Sequence, residues 1–296
     1  MAETITESAP AKVNLALHVT GRRHDGYHLL DTLVVFAEAA DRVTVRPAAE
    51  DAFAVCGPFA QTVPTDGANL VLRARDMLRA LAGERAFPVA IALEKNLPVA
   101  SGIGGGSSDA AAALRALVRL WGFDLSVDEL AAAALPLGAD LPMCLAAGPL
   151  VAQGIGEALT PVAGLPHLHM VLVNPGVAVA TPAVFGALGR RDNPPLPALP
   201  AAPDFTAFTN WLETTRNDLE APAVSVAPEI ASCLSALRDG GAALARMSGS
   251  GATCFGLFPS RQDAAQATAA IAAAHPSWYI AATKTTDSER QADGPH

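Results

Sequence analysis

The chain has 296 residues, 51% hydrophobic and 17% charged, which suits a globular protein of about two domains and excludes a disordered one. Its net charge of −9 argues against sequence-independent nucleic-acid binding, which needs a basic field. A local positive site for a small anion stays compatible with that charge, because distant charge is screened over roughly 8 Å at physiological salt.

Alternation across residues 11–19 predicts a strand with Lys12, Asn14 and Ala16 on one face. Residues 21–26 form a turn, and 33–36 and 42–45 read as two further strands, followed by a loop through Asp51. Asn69 caps an amphipathic helix running to Leu81, and a strand over 89–95 feeds a glycine-rich loop. Residues 107–120 are Ala-rich and helical. Ser126 and Glu129 form a capping box that opens a helix to about Ala134. A short helix follows Gly138, with Asp140 near its cap and Pro142 in its first turn. Strands are expected at 150–152 and 169–173, and a helix from Thr181. The Pro-rich stretch 190–203 reads as an exposed loop. Helices at 217–223 and 228–238, a second glycine turn at 248–251, a strand at 254–258 and a helix at 262–274 complete the pattern. The tail from Thr285 is polar and expected to fray. Strands and helices mix without regular βαβ alternation, so the fold class is α+β.

No apolar run approaches the ~20 residues that span a bilayer, and Glu3 and Glu7 stand where a secretory signal would carry its apolar core. Cys56, Cys144, Cys233 and Cys254 form no C-x-x-C pair and read as buried, reduced thiols of a cytoplasmic protein. His167 and His169 lack carboxylate or Cys companions and read as half-exposed rather than as a metal site. Only Lys12, Lys95 and Lys284 are lysine among the 20 basic residues, which sets each apart from the surface charge that arginine supplies.

The strongest signal is the loop Pro98-Val99-Ala100-Ser101-Gly102-Ile103-Gly104-Gly105-Gly106-Ser107-Ser108. Its four glycines allow close backbone approach, successive N–H groups can converge as an anion nest, and the following helix adds its positive end. Ser107 and Ser108 add hydroxyls for phosphate or Mg2+. A tight strand–helix turn would need only one or two glycines. No Lys follows as in a Walker loop, and the dinucleotide pattern G-x-G-x-x-G breaks at Ser107. The loop is a phosphate grip of a third kind.

Residues Pro98 through Ala112, with Pro10-Ala11-Lys12-Val13-Asn14-Leu15 before them and Gly249-Ser250-Gly251-Ala252 after, resemble the three motifs of the GHMP kinase superfamily, in the same order. The likeness extends through Arg23-His24-Asp25-Gly26-Tyr27-His28, Leu137-Gly138-Ala139-Asp140-Leu141-Pro142, Asn174-Pro175-Gly176 and Thr181-Pro182, from residue 10 to about 258. It implies a two-lobed α+β GHMP kinase fold. A ribosomal protein S5-like N-terminal domain would span 1–155, a ferredoxin-like α/β domain 156–286, and a polar tail 287–296.

The resemblance also implies a reaction. ATP, with Mg2+, would give its γ-phosphoryl group to the 2-hydroxyl of CDP-methylerythritol, in the non-mevalonate route to isoprenoid precursors. Asp140 would bind the acceptor hydroxyl and orient or deprotonate it, and Lys12 would stabilise charge in transfer. Tyr27, His28 and Phe185 would recognise the nucleobase, and Asn14 and Thr181 the erythritol part. The segment 98–108 would hold ATP, while Lys95 would either face the nucleotide or be a strand-end surface charge. Ala100 and Ser101 stand where many members carry glycine, so this half of the loop is expected to be stiffer. A mevalonate- or homoserine-type acceptor and a non-catalytic ligand sensor stay open as alternatives, as do a monomer and a weak homodimer. Neither a nucleic-acid nor a membrane partner is expected.

Overall fold

The computed structural model describes residues 3–286, so the expected tail 287–296 lies outside the described residues. The chain forms two compact units that interleave along the sequence. One takes residues up to 11, 40–99 and 104–147; the other takes 12–39, 100–103 and those from 148 on. The expected boundary after residue 155 falls within the last of these segments.

Strands β1 (Ile5–Arg22) and β2 (His28–Pro47) pair with each other and contribute to both units. The two strands expected at 33–36 and 42–45 are one, because residues 37–41 contain no Gly or Pro to interrupt pairing.

In the first unit follow β3 (Ala52–Cys56), α1 (Leu70–Ala82), β4 (Val89–Glu94), α2 (Gly105–Leu120), α3 (Val127–Ala134) and α4 (Leu141–Ala146). β4 runs antiparallel to residues 42–47 of β2 and parallel to β3. The expected caps form: Asn69 Oδ1 accepts the Val71 N–H, and Ser126 and Glu129 close a reciprocal capping box. Ala110, Ala111, Ala112 and Ala113 are wholly buried, and these small side chains let α2 pack closely on α1 and α4. Asp51 accepts hydrogen bonds from both terminal nitrogens of Arg79 and from the Val89 N–H, tying α1 to the start of β4.

The second unit pairs residues 30–34 of β2 with β5 (Leu150–Gly154), and β5 with β6 (Ala158–Pro161). Beyond these lie β7 (His169–Asn174), α5 (Thr181–Gly186), α6 (Phe205–Glu213), α7 (Glu220–Val226), α8 (Glu229–Asp239), β8 (Leu244–Met247), β9 (Cys254–Phe258), α9 (Arg261–Ala274) and β10 (Tyr279–Lys284). The sheet order is β10-β7-β9-β8, antiparallel throughout, with α8 and α9 packed against it. The path β7-α8-β8-β9-α9-β10 is the ferredoxin-like split βαβ arrangement expected for this part of the chain. Its core gathers Val171, Val173, Ile230, Leu237, Phe258 and Ile271, joined by Leu17 and Val19 from β1.

Several expectations need correction. Cys56 is exposed at the end of β3, whereas Cys144, Cys233 and Cys254 are buried. Thr285 and Thr286 do not fray: their N–H groups donate to Leu168 and Phe36 carbonyls at 3.1 and 2.8 Å. The stretch 190–203 has no helix or strand, yet it is pinned, with the Asn193 N–H on the Val19 carbonyl and the Leu196 N–H on Asp31. No helix among the described residues is long and apolar enough to cross a membrane.

Candidate functional site

In the glycine loop, two of the four glycines use the conformation that only glycine adopts without strain. Gly102 has φ +74°, and Gly104, the N-cap of α2, has φ +66°; Gly105 and Gly106 are the first residues of the helix itself. α2 therefore begins two residues earlier than expected. Its first-turn N–H groups, at 105–107, point out of the helix end without intrahelical partners, and no acidic residue occupies that turn. This is the geometry and the charge that favour a phosphate. Gly106 is exposed and Ser107 half-buried beside these donors. Ser108 is a correction: it is buried, and its hydroxyl donates to the Pro10 carbonyl at 2.8 Å, so it is committed to holding β1 rather than to a phosphate or Mg2+.

Residues 100–103 are clamped by the second glycine turn. Thr253 N–H donates to the Ser101 carbonyl at 3.0 Å, Ser248 Oγ to the Gly102 carbonyl at 3.0 Å, and Lys12 N–H to the Ile103 carbonyl at 2.9 Å. Ser248 Oγ also accepts the Asn14 N–H at 3.1 Å. A Cβ on Gly102 would lie 2.5 Å from the Ser248 carbonyl oxygen and 2.7 Å from that of Gly251, so the two turns meet backbone to backbone. Ala100, in the half expected to be stiff, takes a left-handed φ of 51°. Val99 and Ala100 are exposed, while Pro98, Ser101 and Ile103 are buried.

Beneath the helix end sits a buried ion cluster. Lys95 Nζ lies 2.5 Å from Asp41 Oδ2 and 2.7 Å from Asp109 Oδ2, with side chains 2%, 0% and 4% exposed respectively. The other Asp41 oxygen accepts the N–H groups of Asn96 and Leu97, fixing the segment that leads into the loop. A Cβ on Gly105 would come within 3.1 Å of Lys95 Nζ. Both expectations for Lys95 are thus revised: it is no surface charge, and its ammonium is engaged by two carboxylates instead of reaching outward. Burial opposes its charge, but Asp109 and Asp41 more than compensate and raise its pKa. Sequence reasoning missed Asp41 and Asp109. Asp109 had a readable signal, since it shares a helix stripe with the buried Ala112, Ala113 and Ala116.

Lys12 and Asn14 lie on the same face of β1, both buried. Asn14 Nδ2 donates to Thr32 at 2.8 Å, and its Oδ1 is buried with no hydrogen-bond partner among the described residues. Thr181 opens α5 and shares a hydrogen bond of 2.8 Å with Ser250. In the first unit, Asp140 holds the N-cap position of α4 but makes no side-chain capping bond, so capping does not account for it.

His28 begins β2, and its ring stacks on Phe185 with centroids 4.6 Å apart. Phe185 was expected opposite Tyr27; the ring against it is His28, and Tyr27 is 61% exposed in the preceding turn. Burial lowers the His28 pKa, and Arg22 and Arg191 push it further down, which leaves a neutral ring near pH 7. Its Nε2 is buried without a hydrogen-bond partner among the described residues. A neutral imidazole in an aromatic stack, with one nitrogen unused, suits the edge of a nucleobase. His167 is exposed and His169 half-buried, and no group of three or more His, Cys, Asp or Glu among the described residues could hold a metal ion.

The family model described as the GHMP kinases N terminal domain matches residues 69–148, and GHMP kinases C terminal matches 197–277. A relative from Mesorhizobium japonicum, named 4-diphosphocytidyl-2-C-methyl-D-erythritol kinase, is 56% identical over 97% of both chains. A relative of the same name from Brucella melitensis is 56% identical over 93% of each. A crystal structure of 4-(cytidine 5'-diphospho)-2C-methyl-D-erythritol kinase superposes with a TM-score of 0.78 at 36% identity, covering 96% of this chain and all of that one. The homoserine kinase of Cytophaga hutchinsonii shares the fold, with a TM-score of 0.72 at 19% identity over 97% of this chain and 95% of its own. With a phosphate-ready helix end, two interlocked glycine turns and this degree of likeness along its length, the chain belongs to the GHMP kinase family.

Proposed function

We propose that the chain transfers the γ-phosphoryl group of ATP to the 2-hydroxyl of 4-diphosphocytidyl-2-C-methyl-D-erythritol, a cytoplasmic step of the non-mevalonate route to isoprenoid precursors. The observation that carries this reading is the 56% identity, over 97% of both chains, to a relative of that name. A neutral, stacked His28, with a ring nitrogen that has no partner among the described residues, is the local feature that such a substrate explains and a smaller alcohol does not.

In this reading the 105–107 amides cradle the ATP phosphates, and Mg2+ arrives with the nucleotide, held mainly by phosphate oxygens. His28 hydrogen-bonds the cytosine edge, Phe185 and Tyr27 supply aromatic faces, and Asn14 and Thr181 hold the methylerythritol. Lys12 neutralises charge on the transferring group, and Asp140 orients the acceptor hydroxyl. Phosphoryl transfer has a loose transition state, so orientation and charge carry most of the acceleration.

The test is ADP release by purified protein with ATP, Mg2+ and this substrate, beside mevalonate and homoserine. Turnover with the cytidyl substrate alone is expected, falling at least about 100-fold in Asp140→Asn. Preference for mevalonate or homoserine would reassign the substrate, and an Asp140→Asn enzyme with normal turnover would remove the proposed role of that carboxylate.

A further inference from the structure

Three arginines sit close together in sequence or space near the nucleobase end, and two have local partners. Arg190 Nε donates to Asp192 at 3.1 Å, and Arg22 Nε donates to the Gly26 carbonyl at 3.2 Å. Arg191 differs. Its Nε is shut away from solvent and has no hydrogen-bond partner among the described residues. A buried donor left unmade is costly, more so when charged, so such a group calls for a ligand.

Its position is fixed from both sides. Five residues upstream, α5 ends at Gly186, one residue past Phe185; two residues downstream, Asn193 is anchored to the Val19 carbonyl through its N–H and its Nδ2, both at 3.1 Å. Arg191 thereby stands near enough to His28 to act on its ring electrostatically, as Arg22 does, and both charges acting there are positive. In a chain with a net charge of −9, this is a local cationic spot beside an aromatic stack. Phe185 and Thr181 are four residues apart on α5, hence on one face. A ligand with its base against the His28–Phe185 stack carries its diphosphate next to that base, on the side of the ring where Arg191 acts.

We propose that Arg191 is a ligand for the diphosphate of the nucleotide substrate, closing on it beside the nucleobase read by His28. The proposal rests on the substrate reading given above. Guanidinium suits the task, since its planar fork of N–H donors matches two phosphate oxygens at once and its charge persists at every physiological pH.

The experiment is calorimetric titration of wild type, Arg191→Gln and Arg191→Met with CDP and with cytidine, with melting curves to establish folding and KM for ATP as control. Loss of a charged hydrogen bond to phosphate weakens CDP binding about 10- to 100-fold. Cytidine affinity and KM for ATP are expected to stay within about twofold, and Arg191→Lys to recover part of the loss. Equal weakening of CDP and cytidine, or a folded variant that keeps the wild-type preference for CDP, would overturn the inference and leave the substrate reading intact. A wild-type chain that prefers neither CDP nor cytidine over other nucleotides would overturn both.

Discussion

Replacing Lys95 by methionine removes the one cation between two buried carboxylates. Asp41 keeps two backbone N–H donors on its other oxygen, but Asp109 is left with only the neighbouring Asp41 carboxyl, its Oδ1 having no partner among the described residues. Breaking a buried pair in this way costs about 3–5 kcal/mol, roughly a fifth or more of the stability of an ordinary domain. In urea, with a slope near 2–3 kcal/mol per molar, the midpoint should fall by about 1–2 M. Adding Asp109→Leu to Lys95→Met removes the stranded polar carboxyl and should restore more than half of that loss. The cluster also sets a pH dependence. Burial pushes the Asp109 carboxyl up to about 8, with Lys95 pulling it down and Asp41 pushing it further up. A folded-state pKa above the ordinary 3.8 means proton uptake on folding, so this contribution is fully present below about 3.8 and is lost as pH rises toward 8. Asp109→Asn should flatten that slope. A Lys95→Met protein within about 1 kcal/mol of wild type would refute the view that these charges depend on one another.

Four further outcomes can be checked. Gly102→Ala forces a Cβ to within 2.8 Å of three backbone atoms at a φ of +74°, so it should cost more than about 2 kcal/mol and abolish turnover. Gly106→Ala, with nothing within 4 Å of its added carbon, should leave thermal stability unchanged or raise it by up to about 1 kcal/mol. The hydrogen bond from Arg79 holds the Asp51 carboxyl down at about 2, so its stabilisation is present above the ordinary 3.8 and disappears as pH falls from there through 2; urea midpoints of wild type and Asp51→Asn should converge across that window. Of the four cysteines, the exposed Cys56 should react rapidly with a thiol reagent in the native protein. Cys233, its pKa pushed up to about 12 by burial, and Cys254, also raised by burial, should react only on unfolding.

Local chemistry was the part of this molecule that could be read from the chain. Asn69 and Ser126 announced their helices because a cap and its recipient N–H lie within three residues of each other. The glycine loop was equally plain, although only Gly102 and Gly104 use left-handed backbone. What escaped was long-range. Lys95 looked like a strand-end charge because Asp41 lies 54 positions away, and no spacing rule links them. β10 escaped because Tyr279–Lys284 is Ala-containing and only half-buried, and its strand character comes from pairing with β7 rather than from its own pattern. α6 was overlooked despite a cap, Asp204 on the Ala207 N–H, that follows directly on the Pro-rich stretch. At the site, Asn14, His28 and Phe185 carried their types in the sequence, but which ring meets which required the fold.

The interleaved path has a consequence for synthesis. β1 is among the first elements made, yet its Leu17 and Val19 belong to a core completed by Val171, Ile230 and Phe258, and the Val19 N–H finds its acceptor on Asp218, 199 positions later. At about 5–20 residues per second, a nascent strand waits on the order of 10–40 s for that partner. Throughout the interval its apolar residues and open edge are available to other chains. Soluble yield is therefore the property most sensitive to insertions between residues 19 and 218, even where the finished fold tolerates them.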